Sequence, residues 1–169
     1  MTNIIFTGLR GSGKTTIGSK IAEKLNREFF DVDEEIELNE KQKIKDIVDK
    51  GGWEAFRKLE KATCKNLAKK ENAVIALGGG SILDDENHQA LKTGHIIYLY
   101  ADPLLCAQRV KGDENRPSLK SKNNLLEELQ DLFIERDRIY RQRAKTVFIR
   151  SNNLNEDITK IKNLIQTLH

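Results

Sequence analysis

The sequence predicts an α/β protein in which helices cover both faces of a parallel sheet. Two observations carry this. Short apolar runs at residues 3–7, 28–32, 73–77, 95–100 and 146–149 alternate with longer stretches of helical periodicity. Strands joined through helices run parallel, and parallel sheets are buried on both faces. The first apolar run also leads straight into Gly8-Leu-Arg-Gly-Ser-Gly-Lys-Thr15, a glycine-rich turn at the start of a helical pattern.

The elements follow in order. Residues 3–7 (NIIFT) form the first strand. Residues 14–25 carry Ile17, Ile21, Ala22 and Leu25 at helical spacing. Residues 28–32 form the second strand. Residues 34–70 are helical and highly charged, punctuated by Gly51-Gly52. The third strand, 73–77, ends in Gly78-Gly79-Gly80. A short helix covers 84–92, a strand 95–100 and a helix 103–110. Residues 111–124 are polar, contain Pro117 and lack an apolar period, which reads as a mobile loop. A long helix over 125–143, a strand over 146–149 and a helix over 156–168 complete the chain.

Composition narrows the function classes. With 169 residues, the chain is expected to form one domain with a real core. A net charge of +3 with 33% charged residues is a mixed surface and not a nucleic-acid footprint. No stretch approaches 18 apolar residues, and the N-terminus lacks a signal-peptide pattern, so no membrane partner and a cytoplasmic location are expected. Cys64 and Cys106 fit no metal or disulfide spacing and read as small buried hydrophobes. His88, His95 and His169 show no ligand spacing.

Parallel sheets bind ligands beyond the carboxyl ends of their strands, which singles out the loops after residues 7, 32, 77 and 100. The first fits G-x-x-x-x-G-K-[ST] in strand–loop–helix context. Its glycines let backbone N–H groups surround an anion at a helix N-terminus. Lys14 would reach the β- and γ-phosphates and the Thr15 hydroxyl would ligate Mg²⁺. A nucleoside triphosphate with Mg²⁺ is therefore expected. After the second strand stand Asp31 and Asp33. On an extended strand these carboxylates share one side. One can hold Mg²⁺ through water, and the other can draw a proton from an attacking hydroxyl. Asp33 before Glu34-Glu35 is also a reasonable helix cap. A pair of carboxylates suits a polyol acceptor better than a nucleotide. Arg57 and Glu60 are i, i+3 neighbours, so Glu60 could fix the guanidinium to receive a carboxylate. Gly78-Gly79-Gly80 would let a substrate approach the backbone.

Taken together, GLRGSGKTTIG, DVD, FRKLE, LGGG, Arg116-Pro117 and ERDRIYRQRA resemble, in order and spacing, the shikimate kinases over residues 3–168. The P-loop is widely shared; the combination of DxD, FRxxE and GGG is far more specific. The resemblance implies a P-loop NTPase of nucleoside monophosphate kinase-like fold. That fold is a three-layer αβα sandwich on a five-stranded parallel sheet. A helical substrate-binding subdomain over about 33–60 and a mobile lid over about 111–124 complete it. It implies transfer of the γ-phosphoryl of ATP to the 3-hydroxyl of shikimate in aromatic amino-acid biosynthesis. By position, Asp33, Arg57, Gly79, Gly80 and Arg136 correspond to substrate contacts. Gly11, Ser12, Gly13, Lys14, Thr15 and Thr16 correspond to the phosphate cradle. Thr15 and Asp31 correspond to the Mg²⁺ side, and Arg116 to the lid arginine. Lys14, Asp33 and Arg116 are the expected catalytic groups.

Arg138 and Arg141 compete with Arg136 for the helix face that meets the site. Lys14 is expected on a solvent-facing loop. Trp53 would pack on the substrate ring or cap the helical subdomain. A gluconate-type kinase, a nucleotide kinase and a non-catalytic ATP sensor are the competing functions. A monomer is expected. The decisive geometric expectation is one cleft shared by the glycine loop, the paired aspartates and the two arginines.

Overall fold

The structure is a computed structural model that describes residues 2–110, 124–151 and 153–168. Its strands are β1 (Ile4–Thr7), β2 (Phe29–Asp31), β3 (Val74–Ala76), β4 (His95–Tyr100) and β5 (Thr146–Ile149). Its helices are α1 (Lys14–Leu25), α2 (Val32–Glu40), α3 (Ile44–Leu67), α4 (Asp85–Leu91), α5 (Pro103–Val110), α6 (Leu125–Arg143) and α7 (Leu154–Gln166). A 3₁₀ turn at Ser81–Leu83 follows the triple glycine. Arg116, Pro117 and residues 111–123 of the expected lid lie outside the described residues.

The strands form one sheet in the order β2-β3-β1-β4-β5, and every pairing is parallel. Ile5 sits between Ile75 and Ile96 at the centre. Strand alternation divides the core into two faces. Ile5, Ile75, Ile96 and Tyr98 meet residues of α2, α3 and α6, including Val32, Ile36, Phe56, Leu129 and Leu132. Ile4, Phe6, Val74, Ile97 and Leu99 meet Ile17 and Ile21 of α1 and Ile158, Ile161 and Ile165 of α7. Each such side chain, fully buried, contributes about 1.5–3 kcal/mol. Cys64 and Cys106 are both buried free thiols, as expected of cysteines that fit no metal or disulfide spacing.

Three details differ from the sequence reading. The second strand stops at Asp31, and α2 begins at Val32, so Asp31 and not Asp33 is the cap. Asp31 Oδ1 accepts the Asp33 N–H at 2.9 Å. The same-side argument from strand alternation therefore does not apply to Asp31 and Asp33. A helix turn, not a pleat, relates them. The run predicted at 34–70 is two helices, α2 and α3, and α3 is itself broken at Gly52 (φ 70, ψ 178). Gly52 alone adopts that left-handed backbone at little cost. Finally, α7 starts at Leu154 because Asn153 caps it, accepting N–H groups of Asn155 at 3.1 Å and Glu156 at 3.2 Å.

Candidate active site

The loops after β1, β2 and β3 converge at the carboxyl edge of the sheet. In the first, Gly11 (φ 79) and Gly13 (φ 94) adopt left-handed backbone that other residues resist. This turns the chain into α1, whose first N–H groups have no acceptor within the helix. Gly11, Gly13, Lys14, Thr15 and Thr16 line a cleft of about 450 Å³, within the size range of cofactor sites. Ser12 is not among the residues that line it. Its N–H closes a turn on the Leu9 carbonyl at 3.1 Å, and its side chain is fully buried.

Lys14 departs from its expected exposure. It is 9% exposed, and its Nζ donates to the Gly8 carbonyl at 2.9 Å and the Leu9 carbonyl at 2.8 Å. The ammonium therefore lies inside the curl of the loop and holds it together. Thr15 Oγ1 donates to Asp31 Oδ2 at 2.6 Å, and both residues line the cleft. With its proton committed to Asp31, the Thr15 oxygen presents only lone pairs. This donor set suits a hard divalent cation beside a polyphosphate. Glu34 also lines the cleft, and its carboxyl is raised by burial and by the neighbouring carboxylates Asp31, Glu37 and Glu35.

A second cavity lies against the first. Asp33, Arg57, Gly79, Gly80 and Arg136 all line it, together with Trp53, Phe56 and Leu132. The five residues assigned by position to substrate thus share one space. Arg57 is placed by its own helix. Its Nη1 donates to Glu60 Oε2 at 2.6 Å, and its guanidinium lies over Phe56 at 5.3 Å and Trp53 at 5.7 Å. Glu60 is 1% exposed and also accepts from Ser81 Oγ at 2.6 Å, tying α3 to the turn after the triple glycine. A Cβ on Gly80 would come within 2.6 Å of Arg57 Nη2, so the guanidinium occupies space that only a glycine leaves. Trp53 stands where either role weighed for it is open. It lines the cavity and stacks edge-on against Phe56 with centroids 5.7 Å apart.

The register of α6 is also settled. Leu125, Glu128, Leu129, Leu132 and Arg136 line the cavity, a single helical stripe that continues to buried Tyr140. Arg138 is exposed. Arg141 pairs outside with Asp137 at 2.8 Å and lies over Tyr100 at 5.2 Å. The Tyr140 hydroxyl donates to the Gly79 carbonyl at 2.5 Å. Its pKa is pushed up to about 12 by burial, despite the opposing Arg136 guanidinium beside it. Arg143 donates to the Ile82 carbonyl at 2.7 Å. Helix α6 therefore supplies Arg136 and also pins the glycine turn opposite it.

Comparison with known proteins shows the family. The shikimate kinase family model matches residues 10–166. The chain is 38% identical over 162 residues to a shikimate kinase of Pelotomaculum thermopropionicum, across 95% of this chain and 94% of the relative. It is 46% identical over 126 residues to one from Caldicellulosiruptor saccharolyticus, across 74% of this chain and 73% of the relative. The solved shikimate kinase of Acinetobacter baumannii in complex with shikimate superposes with a TM-score of 0.94 at 37% identity. That alignment covers 99% of this chain and 94% of the other.

The chain belongs to the shikimate kinase family. The five-stranded parallel sheet with helices on both faces is the shikimate kinase fold, as the motifs implied. Shikimate kinases use ATP with Mg²⁺, and the glycine loop with Thr15 and Asp31 fits that pair. Sequence reasoning missed several residues of the shikimate kinase cavity. Arg10 occupies a variable position of the glycine motif, yet it lines both the cleft and the cavity. Glu128, Leu129 and Leu132 were readable as the stripe that leads to Arg136, had the apolar period of α6 been extended through it. Arg109 and Val110 at the end of α5 complete the cleft, and no motif marked them.

Proposed function

We propose that the glycine-loop cleft holds ATP, the adjoining cavity holds shikimate, and the phosphoryl group crosses between them beside Asp33. The reaction is the ATP- and Mg²⁺-dependent phosphorylation of shikimate in aromatic amino-acid biosynthesis, the activity of the family. The observation that carries the site assignment is that, among the described residues, Asp33 and Arg10 alone line both spaces. A group transferred from one space to the other must pass them.

The roles follow from chemistry. Arg57 and Arg136 clamp the acceptor carboxylate, and Glu60 keeps Arg57 oriented. Asp33 accepts the hydrogen bond of the attacking hydroxyl, which on this reading is the 3-hydroxyl, and draws its proton. Gly79 and Gly80 let the ring approach the backbone. Backbone groups of Gly11, Ser12, Gly13 and Thr16 shape the cradle. Lys14 supports the β- and γ-phosphates from within the loop. Thr15 would hold Mg²⁺ directly and Asp31 through water; bound there, the cation neutralises charge on the phosphates. Arg116 closes over the nucleotide from the lid, residues 111–124, and residues 33–60 act as the substrate subdomain. Orientation of this kind lowers a barrier by several kcal/mol.

Among the described residues no helix is long and apolar enough to cross a membrane. The protein works as a cytoplasmic monomer on this reading, without nucleic acid. The test is ADP release from Mg·ATP with shikimate, gluconate or a nucleoside monophosphate offered singly. Turnover with shikimate alone is expected. Turnover with gluconate and not shikimate would overturn the acceptor assignment.

A further inference from the structure

Arg150 and Asp157 form an ion pair with no part in the scheme above. Arg150 Nε donates to Asp157 Oδ2 at 2.7 Å, and the two side chains are only 4% and 1% exposed. A buried pair is costly unless further hydrogen bonds satisfy it. Asp157 has them: it sits in the first turn of α7, and its Oδ1 accepts the Ser151 N–H at 2.9 Å. Arg150 is anchored by its own backbone, whose N–H donates to the Tyr100 carbonyl at 2.9 Å beyond the end of β5. The rest of the guanidinium is turned toward the glycine loop. Its Nη1 donates to the Ser12 carbonyl and lies where a side chain on Gly13 would stand.

We infer that Arg150, held by Asp157, is a positioning residue for the nucleotide that fixes the Ser12–Gly13 peptide from behind the phosphate cradle. The inference rests on reading residues 11–16 as that cradle. In a trans peptide the carbonyl and the N–H point in opposite directions. A Ser12 carbonyl anchored on Arg150 therefore turns the Gly13 N–H toward the cleft that Gly13 lines. The anchor matters because Gly13 has no side chain to resist rotation of that peptide. A cation on the carbonyl also polarises the same amide and strengthens its N–H as a donor to an anion. Gly13 and Arg150 are thus mutually dependent: a larger residue at 13 would displace the guanidinium. The nucleotide site is braced from the β5–α7 junction.

Calorimetric titration of Mg·ADP without shikimate, with KM measured for each substrate, tests this in Arg150→Gln and Arg150→Lys. Arg150→Gln is expected to weaken Mg·ADP about tenfold, the worth of a charged hydrogen bond. KM for ATP should rise in parallel, while KM for shikimate stays within about twofold. Arg150→Lys keeps the charge without the fork and should fall in between. Wild-type Mg·ADP affinity in both variants, whatever their Tm, would overturn the inference and leave a purely structural pair. Should the Gln variant not fold, the Lys variant decides by itself: weakened Mg·ADP sustains the inference, and unchanged affinity overturns it. A wild-type chain that fails to bind Mg·ADP would instead overturn the cradle reading.

Discussion

Lys14 illustrates how one side chain can serve fold and chemistry together. Its ammonium satisfies the Gly8 and Leu9 carbonyls from inside the loop. Lys14→Ala would strand these buried acceptors, at a cost of about 2 kcal/mol. Circular dichroism melts should show Tm lower by roughly 4–8 °C, the shift expected for a chain of this length. Turnover should fall by about 10²–10³, the loss of one preorganised donor to developing charge. An unchanged Tm would restore the expected solvent-facing lysine. Asp33 makes the opposite case, since Asp31 and not Asp33 does the capping. Asp33→Asn should therefore fold normally and lower kcat by about 10²–10⁴, the range of a lost general base. KM for ATP should move little. Steady-state kinetics with each substrate varied in turn would check this, and equal losses in kcat and ATP affinity would place Asp33 on the metal side.

At the scale of elements, the predicted strands match the observed ones to within one residue at each end. Apolar β-branched runs and flanking glycines fix them locally. What escaped was decided by side chains outside the periodic pattern. Asp31 ended the second strand by capping α2, and Asn153 started α7 before its apolar stripe begins at Ile158. The choice of Arg136 over Arg138 and Arg141 needed the stripe from Leu129 to Tyr140, which places only Arg136 among buried neighbours. Arg10 lay in a position the motif leaves open, so only the fold could reveal it. The junction of β5 and α7 supplies a pH prediction. Burial by itself would raise the Asp157 carboxyl, but the bonds from Arg150 and Ser151 outweigh it and hold it below its ordinary 3.8. A carboxylate lowered by folding stabilises the protein above its unfolded value and loses that contribution as pH falls through the folded one. Asp157→Asn should melt lower than wild type by about 3 kcal/mol at neutral pH, as expected for a broken buried pair. The gap should close as pH falls through 3.8 toward the lowered value. A gap independent of pH would remove the charge from the explanation.

Over the whole molecule, the order β2-β3-β1-β4-β5 puts β1 in the middle and gathers the loops after β1, β2 and β3 at one edge. The glycine-loop cleft leans on α1 and α5, and the adjoining cavity on α3 and α6. Arg10 and Asp33 form the partition. Each half also conceals a thiol. Cys64 lies one turn beyond Glu60 in α3, and Cys106 in α5 offers its carbonyl to the close approach of Gly11. Both thiols are fully buried, and burial raises both above the ordinary thiol value. Alkylating reagents can therefore reach them only when the surrounding half opens. The pair amounts to two native clocks. Mg·ADP should slow modification of Cys106 more than of Cys64, and shikimate should do the reverse. Mass spectrometry of each labelled peptide would time the breathing of the two halves separately.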